Sequence, residues 1–419
     1  MRVLILSTTT GYQLRSFCES AARLGIELVM ATDRCHHLDD PWRDSALPVR
    51  FHDDDGSLEA IAAAAAERPL DGLIAVGDRP TVLAARVAQR LGLPGHPAEA
   101  AAASRDKRLM RRAFARAGLR VPWVTELHHG DDAAAAARRI GYPCVVKPAG
   151  LSASRGVIKA DTPEQFVYAV GRVRALLDRP DLRAQRQGLD DSLLVEGYID
   201  GREYAVEGVV TRGELRVFAI FDKPDPLDGP FFEETIYVTP SEADVDLQHA
   251  IADEVQRATA ALGLEHGPVH AECRVGPAGV TMLEIAARPI GGLCSRVLRF
   301  EAGGERAPLE EVLLRHALGE DISPYMREAQ ASGVMMIPIP KRGFYKGVDG
   351  EARARAVAGV EHLEITAKRD QLLEPLPEGD SYLGFIFARA AAPSAVIAAL
   401  RRAHRRLDFH IDPELRVLR

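Results

Sequence analysis

Gly267-Pro268-Val269-His270-Ala271-Glu272-Cys273-Arg274-Val275-Gly276-Pro277-Ala278-Gly279-Val280-Thr281-Met282-Leu283-Glu284-Ile285-Ala286-Ala287-Arg288-Pro289 reads as a β-hairpin. Two runs of alternating character flank Pro277-Ala278-Gly279, a three-residue connection whose glycine takes the left-handed conformation. With Gly276 opposite Val280, Glu272 falls opposite Glu284 and His270 opposite Ala286, while Arg288 follows on the face of Glu284. Period two turns Ala271, Cys273, Leu283 and Ile285 to the other, apolar face.

Two carboxylates opposed at about 5 Å destabilise a sheet unless positive charge stands between them. A hard divalent cation meets that need, and an all-oxygen, partly filled shell suits Mg²⁺ completed by water and phosphates. Zinc would want more imidazole or thiolate, and Cys273 points away. The alternative is a surface ion network in which Arg274, Arg288 or His270 pairs with the glutamates.

Upstream, Tyr142-Pro143-Cys144-Val145-Val146-Lys147 is a strand ending in lysine, followed by the small-residue loop Pro148-Ala149-Gly150-Leu151-Ser152-Ala153-Ser154-Arg155-Gly156 and a second strand. Backbone N–H groups of such a loop, at Ser152, Ser154 and Gly156, approach phosphate oxygens closely, and Lys147 adds a point charge. An ordinary hairpin loop is the competing reading. Leu193-Leu194-Val195-Glu196-Gly197-Tyr198-Ile199-Asp200-Gly201-Arg202-Glu203 is a strand, a short link and a second strand. Such a hinge can offer backbone groups to a purine edge and a carboxylate to ribose hydroxyls; two solvated glutamates around a turn is the other reading.

The first hundred residues alternate strand and helix: Val3 to Leu6, helix Leu14 to Leu24, Glu27 to Ala31, helix Leu58 to Glu67, Gly72 to Val76, helix Thr81 to Leu91. That order predicts a parallel sheet, with ligand contacts beyond its carboxyl ends at Ser7 to Gly11 and Gly77 to Pro80. Neither a GxGxxG turn nor a Gly-x4-Gly-Lys-Ser/Thr loop is present. Any nucleotide must therefore be held by other means. The basic helix Ser104 to Ala117 reads mainly as a solvated connector. From Pro122 to Glu301 longer strands and hairpins give an α+β texture. From Ser332 a third segment, ending in strand Tyr382 to Phe387, helix Pro393 to Leu407 and strand Phe409 to Ile411, reads as a small separate lobe.

These segments, with Lys107, resemble the ATP-grasp superfamily, in which two α+β lobes clasp ATP and a carboxylate is activated as an acylphosphate. The resemblance runs over nearly the whole chain. It implies an ATP-grasp fold of mixed α/β and α+β class, with an N-terminal parallel-sheet (pre-ATP-grasp) domain at 1–95, a two-lobed ATP-grasp domain at 96–320 and a C-terminal α+β lobe at 321–419. It implies that Lys107 and Lys147 contact phosphates, that Glu196 and the link through Tyr198 to Ile199 meet adenine, that Glu203 meets ribose, and that Glu272 and Glu284 hold Mg²⁺, with Mn²⁺ as an alternative. Many ATP-grasp enzymes carry Asn two residues after the second metal carboxylate; Ala286 stands there in this chain. Glu284-x-Ala286-x-Arg288, the preceding His270-x-Glu272 and the following Pro289-x-Gly291-Gly292 resemble the L-amino-acid ligase branch, as does the tail Pro377-Glu378-Gly379-Asp380-Ser381-Tyr382-Leu383-Gly384-Phe385.

The implied function is an ATP-dependent carboxylate–amine ligase that releases ADP and phosphate. Arg288 is the candidate catalytic cation for the tetrahedral oxyanion, and closure of the 152–156 loop would exclude water. Glu233 or Glu234, His270, Arg288, Gly291 and Gly292 are the candidate substrate contacts; period two allows only one of Glu233 and Glu234 to face inward if a strand has begun there. An ATP-grasp carboxylase or purine-pathway ligase, and a non-catalytic ATP-binding module, are the rival readings. Cys294 reads as structural for want of a base, and Cys35-His36-His37 with Asp39 and Asp40 reads as a solvated loop.

Length and composition agree with this scheme. The chain has 419 residues, 47% hydrophobic and 27% charged, enough for two or three folded domains. A net charge of −7 argues against nucleic acid or an anionic membrane as partner. The partners expected are small acids and amines, amino acids foremost, with a homodimer as the default assembly. Five scattered cysteines without a CxxC pair fit a reducing compartment, and no run approaches the ~20 apolar residues of a membrane span. The expected location is the cytoplasm.

Overall fold

The structure, a computed structural model, describes residues 1–8, 13–33, 46–183 and 192–414. Strands Arg2–Ser7, Glu27–Thr32, Ala46–Pro48 and Gly72–Val76 form the expected parallel sheet, with Arg2–Ser7 between Glu27–Thr32 and Gly72–Val76. Its strands are near-continuous apolar runs because helices cover it. The second helix begins at Asp54, earlier than Leu58, because the Asp53 carboxylate accepts the Gly56 N–H at 3.0 Å and caps an additional turn. The loop after the first strand is described only as far as Thr8, so Thr9 to Gly11 lie outside the described residues, as do Cys35, His36, His37, Asp39 and Asp40.

The expected basic helix is two helices, Ala98–Arg105 and Lys107–Arg116, and it is not a solvated connector. Asp106 breaks it: its carboxylate accepts the Arg108 N–H at 2.8 Å and caps a new helix. Met110, Ala113 and Phe114 of that helix pack with Ile251, Val255 and Ala258 in a common core. Its basic residues point out on one side only; Lys107 and Arg111 are buried.

Two antiparallel sheets follow. The smaller one runs Val124–His128, Ser192–Gly197, Cys144–Pro148, Ile158–Ala160. The larger, of eight strands, runs Gly279–Ala286, His266–Gly276, Arg202–Thr211, Glu214–Asp222, Ile236–Thr239, Ala331–Ile337, Gly384–Ala390, Val360–Ile365. Its last three strands belong to the third segment, which therefore shares a sheet with the segment before it: Gly333 pairs with Val238 and Met335 with Ile236. The strand expected at Tyr382 begins at Gly384, and the last helix ends at His404.

The hairpin places Glu272 opposite Glu284 and His270 opposite Ala286, as the alternation requires. It arrives there by a different route. The connection is Pro277-Ala278, with Gly276 opposite Gly279, and Gly279 takes φ +95°, where a side chain would be strained. A β-bulge between Glu272 and Cys273 then inserts one residue, Leu283, and restores the register. Met282 therefore takes the core position expected for Leu283, packing with Ala271, Cys273 and Ile285. Leu283 turns to the cleft between the two sheets instead.

Candidate active site

The cleft encloses about 310 Å³ and is lined by both antiparallel sheets, by the Gly77-Asp78 turn of the parallel sheet and by the third segment through Asp380, Ser381, Tyr382 and Phe385. That volume lies at the lower end of the range for small-molecule sites, ~300–1,000 Å³.

On the smaller sheet Val145 pairs with Glu196, which sets Lys147 and Glu196 side by side. Lys147 donates to Glu196, and Arg111 grips both oxygens of the same carboxylate at 3.0 and 3.2 Å. All three are buried. Burial alone would raise the Glu196 carboxyl, but the charges of Arg111 and Lys147 outweigh it and hold the group at about 2. Burial, with Arg111 and Lys107 nearby, brings Lys147 down to about 8 despite Glu196. The Glu196 side chain thus faces cations rather than the hinge. Lys107 opens its helix at the same place, donating to the Leu151 carbonyl at 2.8 Å and standing 3.2 Å from Glu284.

Ser152 and Ser154 line the cleft, whereas Gly156 does not: its N–H is donated to the Pro377 carbonyl at 2.8 Å. Arg155 likewise reaches the Glu378 carbonyl at 2.8 Å, so the third segment holds this loop. At the hinge, Tyr198 and Ile199 line the cleft, with the Tyr198 ring stacked on Phe232 at 6.4 Å between centroids. Arg274 donates to the Ile199 carbonyl at 2.9 Å and to Glu203 at 3.0 Å.

Glu203, Glu234 and Glu272 each offer an oxygen within 4.8 Å of the other two. The Lys223 ammonium stands among them, 2.7 Å from Glu203 and 2.8 Å from Glu272, and also donates to Glu234. Burial would strip its proton, but the three carboxylates hold Lys223 well above the ordinary lysine range. Tyr237 donates to Glu234 at 2.9 Å and to Glu272 at 3.1 Å. Burial raises Glu234 to about 7, and Glu272 is held well below the usual carboxylate range because Lys223 and His270 outweigh its burial. Glu234 lines the cleft and Glu233 does not; no strand has begun there, since the next starts at Ile236.

Glu272 and Glu284 offer only oxygen, both line the cleft, and Cys273 is sealed in the core on the opposite face. Each carboxylate is balanced by a lysine, Lys223 for Glu272 and Lys107 for Glu284. This donor chemistry fits a hard divalent cation.

His270 Nδ1 lies 3.1 Å from the fully buried Glu207, and its Nε2 is 3.8 Å from Glu272. Burial lowers His270, but the bonds to both glutamates outweigh it and raise the imidazole to about 9. Glu207 also accepts the Ile290 N–H at 3.1 Å, fixing the turn that carries Gly291 and Gly292 into the cleft. Arg288 lines the cleft and is paired with Asp78, not with a neighbouring glutamate. Cys294 is buried, which raises its thiol and fits a structural role. Arg111, Lys223, Tyr237, Glu207 and Asp78 were given no role by the motif reading, although Asp78 lay in a loop marked by its place beyond a strand end and Lys223 in the loop that leads to Glu233 and Glu234.

Three families match along the chain in register with these elements: the ATP-grasp N-terminal domain at 18–95, the ATP-grasp domain at 140–297 and the L-amino acid ligase C-terminal domain 2 at 335–412. Alanine–anticapsin ligase of Bacillus amyloliquefaciens is 32% identical over 204 residues, 46% of this chain and 42% of that protein. The chain thus spans less than half the length of such curated relatives. The crystal structure of an L-amino acid ligase from Bacillus licheniformis superposes with a TM-score of 0.80 over 98% of both chains at 24% identity. The biotin carboxylase domain of Hydrogenobacter thermophilus 2-oxoglutarate carboxylase, solved with MgADP and bicarbonate, superposes at 0.66 with 16% identity over 97% of this chain and 90% of that one.

The chain belongs to the ATP-grasp superfamily, a fold that generally binds ATP with a divalent cation. The third segment matches an L-amino acid ligase C-terminal domain, and the whole chain shares the fold of a solved L-amino acid ligase. Among the described residues no helix is long and apolar enough to cross a membrane.

Proposed function

We propose that the chain is an ATP-dependent carboxylate–amine ligase, an L-amino-acid ligase joining small acids and amines through an acylphosphate. The observation that carries this reading is the composition of one cleft: the opposed Glu272 and Glu284, Lys107 and Lys147 share it with Asp380, Ser381, Tyr382 and Phe385 of the ligase C-terminal domain. In the first step a substrate carboxylate oxygen bonds the γ-phosphorus and the bond to ADP breaks; in the second an amine nitrogen bonds the acyl carbon, phosphate leaves and the nitrogen loses a proton. Mg²⁺ at Glu272 and Glu284 would supply neutralising charge, and Mn²⁺ suits the same donors.

The chain's own residues supply the rest. Lys107 and Lys147 place two positive charges where triphosphate and carboxylate must approach each other. Tyr198 and Ile199 are assigned to the adenine, and Glu203 to the ribose. Glu234, which lines the cleft and whose carboxyl is pushed up by burial, is assigned to hold the substrate ammonium or take its proton. Arg288 stabilises the oxyanion, and His270 with Gly291 and Gly292 shapes the acid's subsite. The domain limits 1–95, 96–320 and 321–419 are proposed as sequence units, the last two sharing one sheet. A screen of acid and amine pairs for ADP release tests the reading: release needing both partners supports it, and release driven by bicarbonate alone sinks it.

A further inference from the structure

Arg288 is held from another domain. Asp78 accepts from its Nε at 2.9 Å and from its Nη2 at 3.2 Å, and the Pro289 carbonyl accepts from Nη1 at 3.0 Å. Asp78 sits on the turn at the carboxyl end of strand Gly72–Val76; Gly77, at φ +89°, makes that turn, and the Thr81 hydroxyl locks it by donating to the Asp78 carbonyl at 2.8 Å. We propose that Asp78 is a positioning residue for Arg288, occupying one edge of the guanidinium so that its remaining two N–H groups are presented together to a two-oxygen anion of the substrate.

The donor count supports this. A guanidinium has five N–H donors in a fixed planar fork. The three contacts consume Nε–H and one hydrogen on each terminal nitrogen, which leaves one on Nη1 and one on Nη2. Asp78 is kept anionic, because although burial would raise its carboxyl the Arg288 charge brings it down. The pair is therefore neutral overall, and what it offers a substrate is a planar fork rather than bulk charge, a recognition suited to carboxylate geometry. Arg288 and Asp78 both line the cleft, Asp78 from the turn that follows strand Gly72–Val76 of the parallel sheet, so the parallel-sheet domain sets the aim of a group in the ATP-grasp domain.

This inference rests on the ligase reading, and a double-mutant cycle tests it. Asp78→Asn replaces one acceptor oxygen by an amide donor facing Nη2–H, so the bidentate grip is lost; kcat/KM for the acid should fall about 10- to 100-fold with KM for ATP within two-fold of wild type. Asp78→Glu, which keeps two acceptor oxygens, should recover part of the loss. In an Arg288→Ala background Asp78→Asn should change kcat/KM by less than two-fold, because a residue acting through another has nothing left to position. Multiplicative losses in the double variant would overturn the inference while leaving the ligase reading standing. Wild-type protein that releases no ADP with any acid and amine pair would sink the ligase reading itself, and the inference with it.

Discussion

Arg111 donates to both carboxylate oxygens of Glu196, at 3.0 and 3.2 Å, from a helix that its sequence marks as basic and solvated. The pair is buried on both sides, and it settles where Lys147 stands, since Lys147 donates to the same carboxylate.

Removing Arg111 leaves Glu196 with one cation instead of two in a site closed to water. Breaking a buried pair from one side costs about 3–5 kcal/mol. Arg111→Met should lower the free energy of unfolding by that order in urea, and a loss below about 1 kcal/mol would mean that Lys147 alone satisfies Glu196.

Lys147 ties the site to pH. Its value of about 8 lies below the ordinary lysine range, so its charge is present below that pH and lost as pH rises through it. Affinity for ATP that depends on this charge should therefore weaken above about pH 8. The KM for ATP, followed from about pH 6.5 to about 9.5, should rise at the alkaline end in wild type and stay flat in Lys147→Arg, whose charge persists.

The bulge separates two neighbours in the sequence. Met282→Ala should destabilise the fold by about 2–5 kcal/mol as a core truncation, with little effect on KM for ATP. Leu283→Ala should do the reverse, weakening nucleotide binding at nearly unchanged stability, because Leu283 faces the cleft. Exchange of these two phenotypes would return the hairpin to its unbulged register.

The hairpin was legible because period-two alternation survives one compensated error: a connection one residue shorter than expected is offset by a bulge, and Glu272 meets Glu284 either way. Lys107, Lys147, Ser152, Glu203 and Arg288, which the family resemblance named together, all line the one cleft. Arg111, Lys223 and Asp78 were not legible, since each acts on a partner far away in sequence: Glu196, Glu272 and Arg288 respectively. The basic helix misled because charge was counted along it and not around it; Asp106 restarts the helix and turns Lys107 and Arg111 inward. The third segment read as separate because strand pairing between Ile236–Thr239 and Ala331–Ile337 leaves no local trace.

In the proposed reaction the opposed carboxylates Glu272 and Glu284 carry the nucleotide chemistry. Glu284→Gln and Glu272→Gln should each reduce ADP release by about 10²–10³-fold, the scale of losing a preorganised charge at a reacting phosphate. Chelation of divalent cations should abolish release in wild type and Mg²⁺ restore it; full activity in chelator would remove the metal from the account.

The most direct test is the mass of the product formed from one acid and one amine with ATP and Mg²⁺, read beside ADP. The account predicts ADP release only with both partners present, and a product whose mass is that of acid plus amine less one water, absent with Glu284→Gln. Release of ADP at the same rate without the amine, and no such product across a panel of amino acids, would contradict it.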